Sequence, residues 1–191
     1  MSKPKVLAFA GSLREGSYNK KLVRCAAAAA EAAGAEVTVI DLADYPLPLF
    51  DEDIEAKGTP ENATKLKALM KPADGFLIAS PEYNSSLSGA LKNAIDWASR
   101  PAEGEGRLEA FAGKAAVLMA ASPGALGGLR GLVHLKAILG NIQVTVLPQQ
   151  HALGGANEAF ADDGSLKDAK KAETIAGLGR SLTEFLLKHT A

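Results

Sequence analysis

The sequence predicts an α/β protein in which a parallel sheet is covered by helices on both faces. Three observations carry this. Five short apolar runs alternate with longer segments of helical period, the order that successive βα units require. The runs are apolar throughout rather than alternating, which fits strands buried on both faces. A length of 191 residues, with no repeat, low-complexity segment or linker, suits one domain spanning 1–191.

The elements follow in order. Residues 6–10 form the first strand, stopped by Gly11-Ser12. Leu22, Ala26, Ala30 and Ala33 then recur at helical spacing until Gly34 ends the helix. Residues 37–42, with the β-branched Val37, Thr38, Val39 and Ile40, make strand two. Pro46, Pro48 and Pro60 keep residues 43–60 irregular, and a short helix over 62–71 halts before Pro72. Gly75–Ala79 is strand three, closed by Ser80-Pro81. Leu87, Leu91, Ala94, Ile95 and Ala98 mark the apolar side of the third helix, with Trp97 in the core. Residues 115–120 are strand four; a glycine-rich loop over 122–131 and a helix through Leu132, Leu135, Ile138 and Leu139 come next. Residues 144–147 are strand five, stopped by Pro148. A polar loop through Asp162, Asp163 and Gly164 leads to a last helix burying Ile175, Leu178, Leu182, Phe185 and Leu186.

Composition narrows the function. The formal net charge is -1 with the basic residues dispersed, which argues against nucleic acid or a membrane surface as partner. Cys25 is the sole cysteine, so no intrachain disulfide or thiol cluster for zinc can form, and its alanine-rich surroundings suggest a small buried thiol. His134, His151 and His189 share no ligand spacing, so no metal site is expected. No Gly-x-Ser-x-Gly elbow accompanies any serine, which leaves a hydrolase unsupported. Met1 to Lys5 runs straight into a six-residue apolar strand, too short for a signal peptide or a membrane span. Cytoplasm is the expected location.

In an open parallel sheet the ligand crevice lies beyond the carboxyl ends of the strands. Three loops there are unusual. The first, residues 11–19, joins a strand to a helix N-terminus, where free N–H groups favour an anion. Ser12, Ser17 and Asn19 add neutral donors and Arg14 a charged fork, a mixture that suits a phosphate monoester. The alternative is a plain turn with Ser17 as helix cap. The spacing imitates a Walker A loop, but Ser17 stands where its lysine should be, and the Rossmann glycine pattern is absent. Asp41 at the end of strand two therefore reads as a strand-end acid. The second loop, Pro81-Glu82-Tyr83-Asn84-Ser85-Ser86, suits a flat heteroaromatic ligand: Tyr83 can pack on a ring and backbone N–H groups can meet its edge. The third, residues 122–131, holds Gly124, Gly127, Gly128 and Gly131. Such a run lets a planar ligand approach the backbone or, alternatively, lets a helix pack closely on a strand.

Taken in order, Gly11-Ser12-Leu13-Arg14-x-x-Ser17-x-Asn19 with Leu22, Pro81-Glu82-Tyr83-Asn84, and Gly89-x-Leu91-Lys92-Asn93-x-x-Asp96-Trp97 resemble the NADPH-dependent FMN reductase family. That family includes bacterial quinone, chromate and azo-dye reductases. The resemblance runs from Lys5 to about Leu147. It implies a flavodoxin-like three-layer sandwich with a five-stranded parallel sheet of order 2-1-3-4-5. It implies FMN with its phosphate held by Ser12, Arg14, Ser17 and Asn19. Pro81, Glu82, Tyr83 and Asn84 would line the isoalloxazine ring, with Ser122 and Gly124 near its other edge. NADPH or NADH would be co-substrate, and quinones, chromate, azo dyes, nitro compounds or free flavin the acceptors. No catalytic side chain is then required, because flavin N5 carries the hydride. Nicotinamide and acceptor would use one open ring face in turn, giving ping-pong kinetics. Arg100, Arg107 and Arg130 are candidates for a nicotinamide 2′-phosphate.

Two further expectations concern partners and rivals. Residues 45–50 put Tyr45, Leu47, Leu49 and Phe50 in a proline-rich loop; burial against another subunit would cover them, the alternative being a loop folded back over its own sheet edge, and the resemblance likewise implies a homodimer or homotetramer. A non-enzymatic flavodoxin-type electron carrier is the nearest rival, but such carriers use a strongly acidic docking surface, and 21 basic against 22 acidic residues provide little sign of one. A nucleotide-binding regulatory domain using the degenerate Walker-like loop is the other.

Overall fold

The computed structural model describes residues 2–102 and 104–189. Its main sheet is assembled from β1 (Lys5–Ala10), β2 (Glu36–Asp41), β3 (Gly75–Ala79), β6 (Ala115–Ala121) and β7 (Thr145–Leu153), in the order β2-β1-β3-β6-β7. Every pairing in it is parallel. The expected five strands in the order 2-1-3-4-5 are therefore present, and the fold is flavodoxin-like. A two-stranded antiparallel hairpin, β4 (Glu82–Tyr83) with β5 (Ser86–Leu87), is a separate piece.

Side chains of the three inner strands alternate between two cores. Val6, Ala8 and Ala10 of β1 face one side with Leu77 and Val117, and meet α1 (Tyr18–Ala32) and α7 (Ala169–His189) there. Leu7, Phe9, Phe76, Ile78 and Leu118 face the other, against α3 (Glu61–Met70), α4 (Gly89–Ala98) and α5 (Leu129–Asn141). Burial on both faces explains why β1, β3 and β6 read as continuous apolar runs. The alanine stretch of α1 has a purpose in this packing. Gly179 of α7 crosses so closely that a Cβ there would lie 2.0 Å from the Ala26 carbonyl oxygen.

Several expectations needed correction. The last strand does not stop at Pro148 but continues to Leu153. It is an edge strand whose register shifts between Ala116 and Leu118 of its neighbour, and at such an irregularity a residue without an N–H breaks no ladder bond. Leu87 belongs to the hairpin, and α4 begins at Gly89. The supposed loop before α7 contains a short helix, α6 (Ala156–Ala159), and another short helix, α2 (Glu52–Glu55), lies in the irregular 43–60 segment. The edge strand β2 is largely exposed, so burial on both faces holds for the inner strands only. His189 is the last residue of α7 and stacks on Phe185. Cys25 is half-buried, not buried.

Candidate active site

The three loops singled out in the sequence come together beyond the carboxyl ends of β1, β3 and β6. In the first, Ser12 and Ser17 are buried and Arg14 and Leu13 are exposed. Ser17 is the N-cap of α1 in position, yet its side chain makes no capping hydrogen bond. The first turn of α1 holds no acidic residue, and Arg14 pairs with no carboxylate among the described residues. An uncapped helix N-terminus with two buried hydroxyls and a free guanidinium suits an anion. The plain-cap alternative for Ser17 finds no support in this geometry.

Asn19 stands differently. Its Nδ2 donates to the Ala121 carbonyl and its Oδ1 accepts from the Ala121 N–H, both at 2.9 Å. This buried pair ties the start of α1 to the end of β6, holding the first and third loops in register. Asp41 is the strand-end acid expected: Lys20 pairs with it at 2.5 Å and the Ala43 N–H donates to it at 3.0 Å. Burial opposes ionisation there, and these two contacts outweigh it, leaving the carboxyl below its usual range.

The second loop is the hairpin. Asn84 and Ser85 both have positive φ, 50° and 65°, the pattern of a two-residue turn whose twist matches its strands. Tyr83 is 53% exposed beside it, and Pro81 is buried. Glu82 does not point with them. Its carboxylate accepts from the Gly131 N–H at 3.0 Å and from Arg130 Nε at 3.0 Å, with Arg130 Nη2 at 2.9 Å. The Gly131 N–H, then Arg130, hold this carboxyl below its usual range against the effect of burial.

The glycines of the third loop divide into two kinds. A Cβ on Gly127 would lie 2.6 Å from the Ala152 carbonyl carbon, one on Gly128 2.8 Å from the Ala120 Cβ, and one on Gly131 3.2 Å from the Ser86 oxygen. These three exist for packing within the chain. Gly124 would meet only the Ser122 Oγ, at 3.7 Å, and its N–H donates to that oxygen at 3.3 Å. Of the four, Gly124 is the one open to a ligand.

Sequence reasoning missed Ser88. As N-cap of α4 its Oγ accepts from the Leu91 N–H at 3.1 Å, and its hydroxyl donates to the Gly11 carbonyl. It thereby fixes the first loop against α4, where Gly11 has no room for a side chain beside Leu91. A serine just ahead of an apolar helical run is a readable capping signal; its bond to Gly11 is not. The apolar loop 45–50 folds back on its own chain. Phe50 packs edge-on against Trp97 at 5.0 Å, Trp97 Nε1 donates to the Pro48 carbonyl at 2.8 Å, and Asn93 donates to the same carbonyl. Leu47 joins the core, while Leu49 stays 80% exposed. A cavity of about 250 Å³ between Leu13, Tyr45, Leu47, Ala90 and Asn93 borders the first loop.

Other candidates lie elsewhere. Arg100 forks onto Glu55 at 2.7 and 2.8 Å, beyond the end of α4 and away from the three loops. Burial and Asp163 raise the Cys25 thiol, and burial and Lys171 lower the His151 imidazole. Among the described residues, no helix is long and apolar enough to cross a membrane.

The family model described as NADPH-dependent FMN reductase matches residues 4–158, further than the motifs alone reached. The NAD(P)H-dependent FMN reductase of Pseudomonas aeruginosa is 41% identical over 175 residues, 90% of this chain and 89% of that protein. The quinone reductase of Escherichia coli K12 is 33% identical over 187 residues, 96% of each. Among solved structures, the flavoenzyme NAD(P)H:(acceptor) oxidoreductase of Paracoccus denitrificans superposes with a TM-score of 0.83 at 32% identity, covering 97% of this chain and 98% of that one. The chain belongs to the NADPH-dependent FMN reductase family and is an oxidoreductase with FMN as cofactor and NAD(P)H as co-substrate.

Proposed function

We propose that the crevice at the carboxyl end of the sheet is the FMN site of an NAD(P)H-dependent reductase of small soluble acceptors, built in one domain over 1–191. The observation that carries this is the uncapped N-terminus of α1: Ser17 without a capping bond, buried Ser12, and an Arg14 with no carboxylate partner among the described residues. Ser12, Arg14 and Ser17 hold the phosphate, and Asn19 keeps their loop registered on Ala121. Pro81, Tyr83 and Asn84 take one edge of the ring system and Ser122 with Gly124 the other; Glu82 contributes its backbone. When bound here, FMN would supply the hydride- and electron-transfer chemistry between nicotinamide and acceptor. The side chains here bind, orient and exclude water, and none has to move a proton.

Acceptors of the quinone, chromate, azo, nitro or flavin classes, a cytoplasmic location and a homodimer or homotetramer complete the reading. Exposed Leu49 and Leu13 and the cavity beside them favour a subunit contact at this edge. A scattering mass of 19.7 kDa at micromolar concentration would refute the oligomer.

Titration of the apoprotein with FMN tests the site. Arg14→Ala removes a charge-assisted bond of about 1.5–3 kcal/mol, a ten- to hundred-fold loss of affinity, with the fold intact. Unchanged affinity removes Arg14 from the phosphate site. Anaerobic NADPH added to the loaded protein separates enzyme from electron carrier: rapid flavin bleaching without another reductase marks the enzyme. Parallel double-reciprocal lines mark the ping-pong order, and intersecting lines a ternary complex.

A further inference from the structure

Glu82 belongs to the segment that borders the proposed cofactor site, but its carboxylate turns the other way. It reaches α5, 49 residues further along the chain. The N-terminus of α5 needs such a partner. Its N-cap is Gly128, which has no side chain to accept from the first-turn N–H groups. Glu82 accepts from one of these, the Gly131 N–H, and its other oxygen holds Arg130 of the same turn. A negative group at a helix N-terminus is favourable for the dipole as well.

The hairpin has two other ties, a 3.0 Å contact between Ser86 Oγ and His134 Nδ1 of α5 and the packing of Leu87 on the core, and neither holds its first strand. β4 and β5 pair over Glu82–Leu87 and Tyr83–Ser86 only, and so short a ribbon is not stable alone. Its turn carries two residues of positive φ. It lies against α5 because Gly131 leaves room for the Ser86 carbonyl and the Glu82 Cβ, which a Cβ at 131 would meet at 3.2 and 3.5 Å. Both carboxylate oxygens of Glu82 are engaged by α5.

We infer that Glu82 is a positioning residue: acting through Gly131 and Arg130, it locks the hairpin that presents Tyr83 and Asn84 to the flavin. The inference rests on the cofactor site proposed above. It extends that site to a residue pair, Glu82 and Arg130, whose side chains need not touch the cofactor.

Two measurements on the full chain test it. First, amide exchange of the apoprotein reads the clamp with no flavin present. In Glu82→Ala, residues 83–87 exchange about ten-fold faster while β1, β3 and β6 keep their protection; unchanged exchange overturns the inference. Second, apoprotein forms of the wild type, Glu82→Ala, Glu82→Gln, Arg130→Ala and the Glu82→Ala/Arg130→Ala double variant are titrated with FMN. Glu82→Ala binds about ten-fold more weakly. Glu82→Gln recovers most of the loss, because its amide oxygen still accepts from Gly131. The double variant binds no more weakly than Glu82→Ala, since both changes remove the same link. Equal affinity of wild type and Glu82→Ala overturns the inference, as do additive losses, which would place the carboxylate on the flavin itself. A wild-type protein that takes up no FMN refutes the cofactor site first, and the clamp's role falls with it.

Discussion

Around the amino ends of β3 and β6, charge is tied up inside the chain. Lys67 and Lys71 share Glu105, Arg100 forks onto Glu55, and Lys114 donates to the Lys71 and Ala73 carbonyls. Around the carboxyl ends, Arg14 has no carboxylate partner among the described residues, Ser17 leaves its helix uncapped, and backbone and hydroxyl groups line the crevice. Both regions are loops on one sheet. The first region satisfies these charges internally, whereas the second, beside its own Lys20–Asp41 and Arg130–Glu82 pairs, keeps Arg14 without a carboxylate partner among the described residues. A cation with a partner in the chain stabilises the fold, and one without a partner is available for function.

Substitutions can break this contrast. The largest effect is expected at Gly127, where φ is 63° and a Cβ would press on the Ala152 backbone. Gly127→Ala should lose about 3 kcal/mol, from a left-handed backbone and overpacking together. Gly124→Ala, whose Cβ would meet only the Ser122 Oγ at an ordinary contact distance of 3.7 Å, should stay within about 0.5 kcal/mol of wild type in stability while weakening FMN binding. Urea unfolding of both apoproteins checks the pair, and equal losses would erase the division between packing glycines and ligand-facing ones.

Glu105→Gln attacks the opposite end. It leaves Lys67, 5% exposed at its side chain, without its anion. A fully buried broken pair costs about 3–5 kcal/mol; partial exposure of Glu105 and the nearby Lys71 reduce this to about 2 kcal/mol. FMN affinity should change by less than about two-fold, and a larger change would mean that the two ends are coupled.

The same carboxylate sets an acid response. Its hydrogen bond to Lys67 is the main cause that lowers the Glu105 pKa from 4.5 to about 2. The folded value lies below the unfolded one, so its contribution is full above pH 4.5 and is lost as pH falls towards about 2. Glu105→Gln should flatten the stability profile in that window and leave it parallel to wild type at neutral pH. An unchanged acid limb would mean the ion pair is not formed in solution. The smallest effect is expected at Cys25. Its thiol makes one weak contact, 3.7 Å to the Gly164 carbonyl, so Cys25→Ser should shift stability by less than about 1 kcal/mol and leave turnover unchanged. A marked loss of turnover would put a role on this thiol that its position does not suggest.

Much of this architecture is legible along the chain, for a local reason. β1 after Lys5, β3 and β6 are apolar throughout because both faces are covered, and α1 and α7 show helical period because one face is. The first loop was readable too, since its hydroxyls, arginine and helix start lie within nine residues. The hairpin was not: strands of two residues carry no period, and the turn uses Asn84-Ser85 instead of the Asn-Gly that signals such a turn. Pro148 misled in the other direction, because only the edge position of β7 makes a proline harmless there.

By itself, then, the sequence determined the parallel α/β fold and the gathering of hydroxyls, an arginine and a helix start in the first loop, because short-range period and composition encode both. The fate of individual side chains was decided by contacts between distant segments. Nothing within Pro81 to Ser86 separates Tyr83, left at the surface, from Glu82, drawn away to α5. Gly124 and Gly127 are the same residue three positions apart, and only the Ala152 backbone packed on one of them tells them apart. Such distinctions exist only once the strands are side by side, because the partner that satisfies or excludes each group comes from another part of the chain.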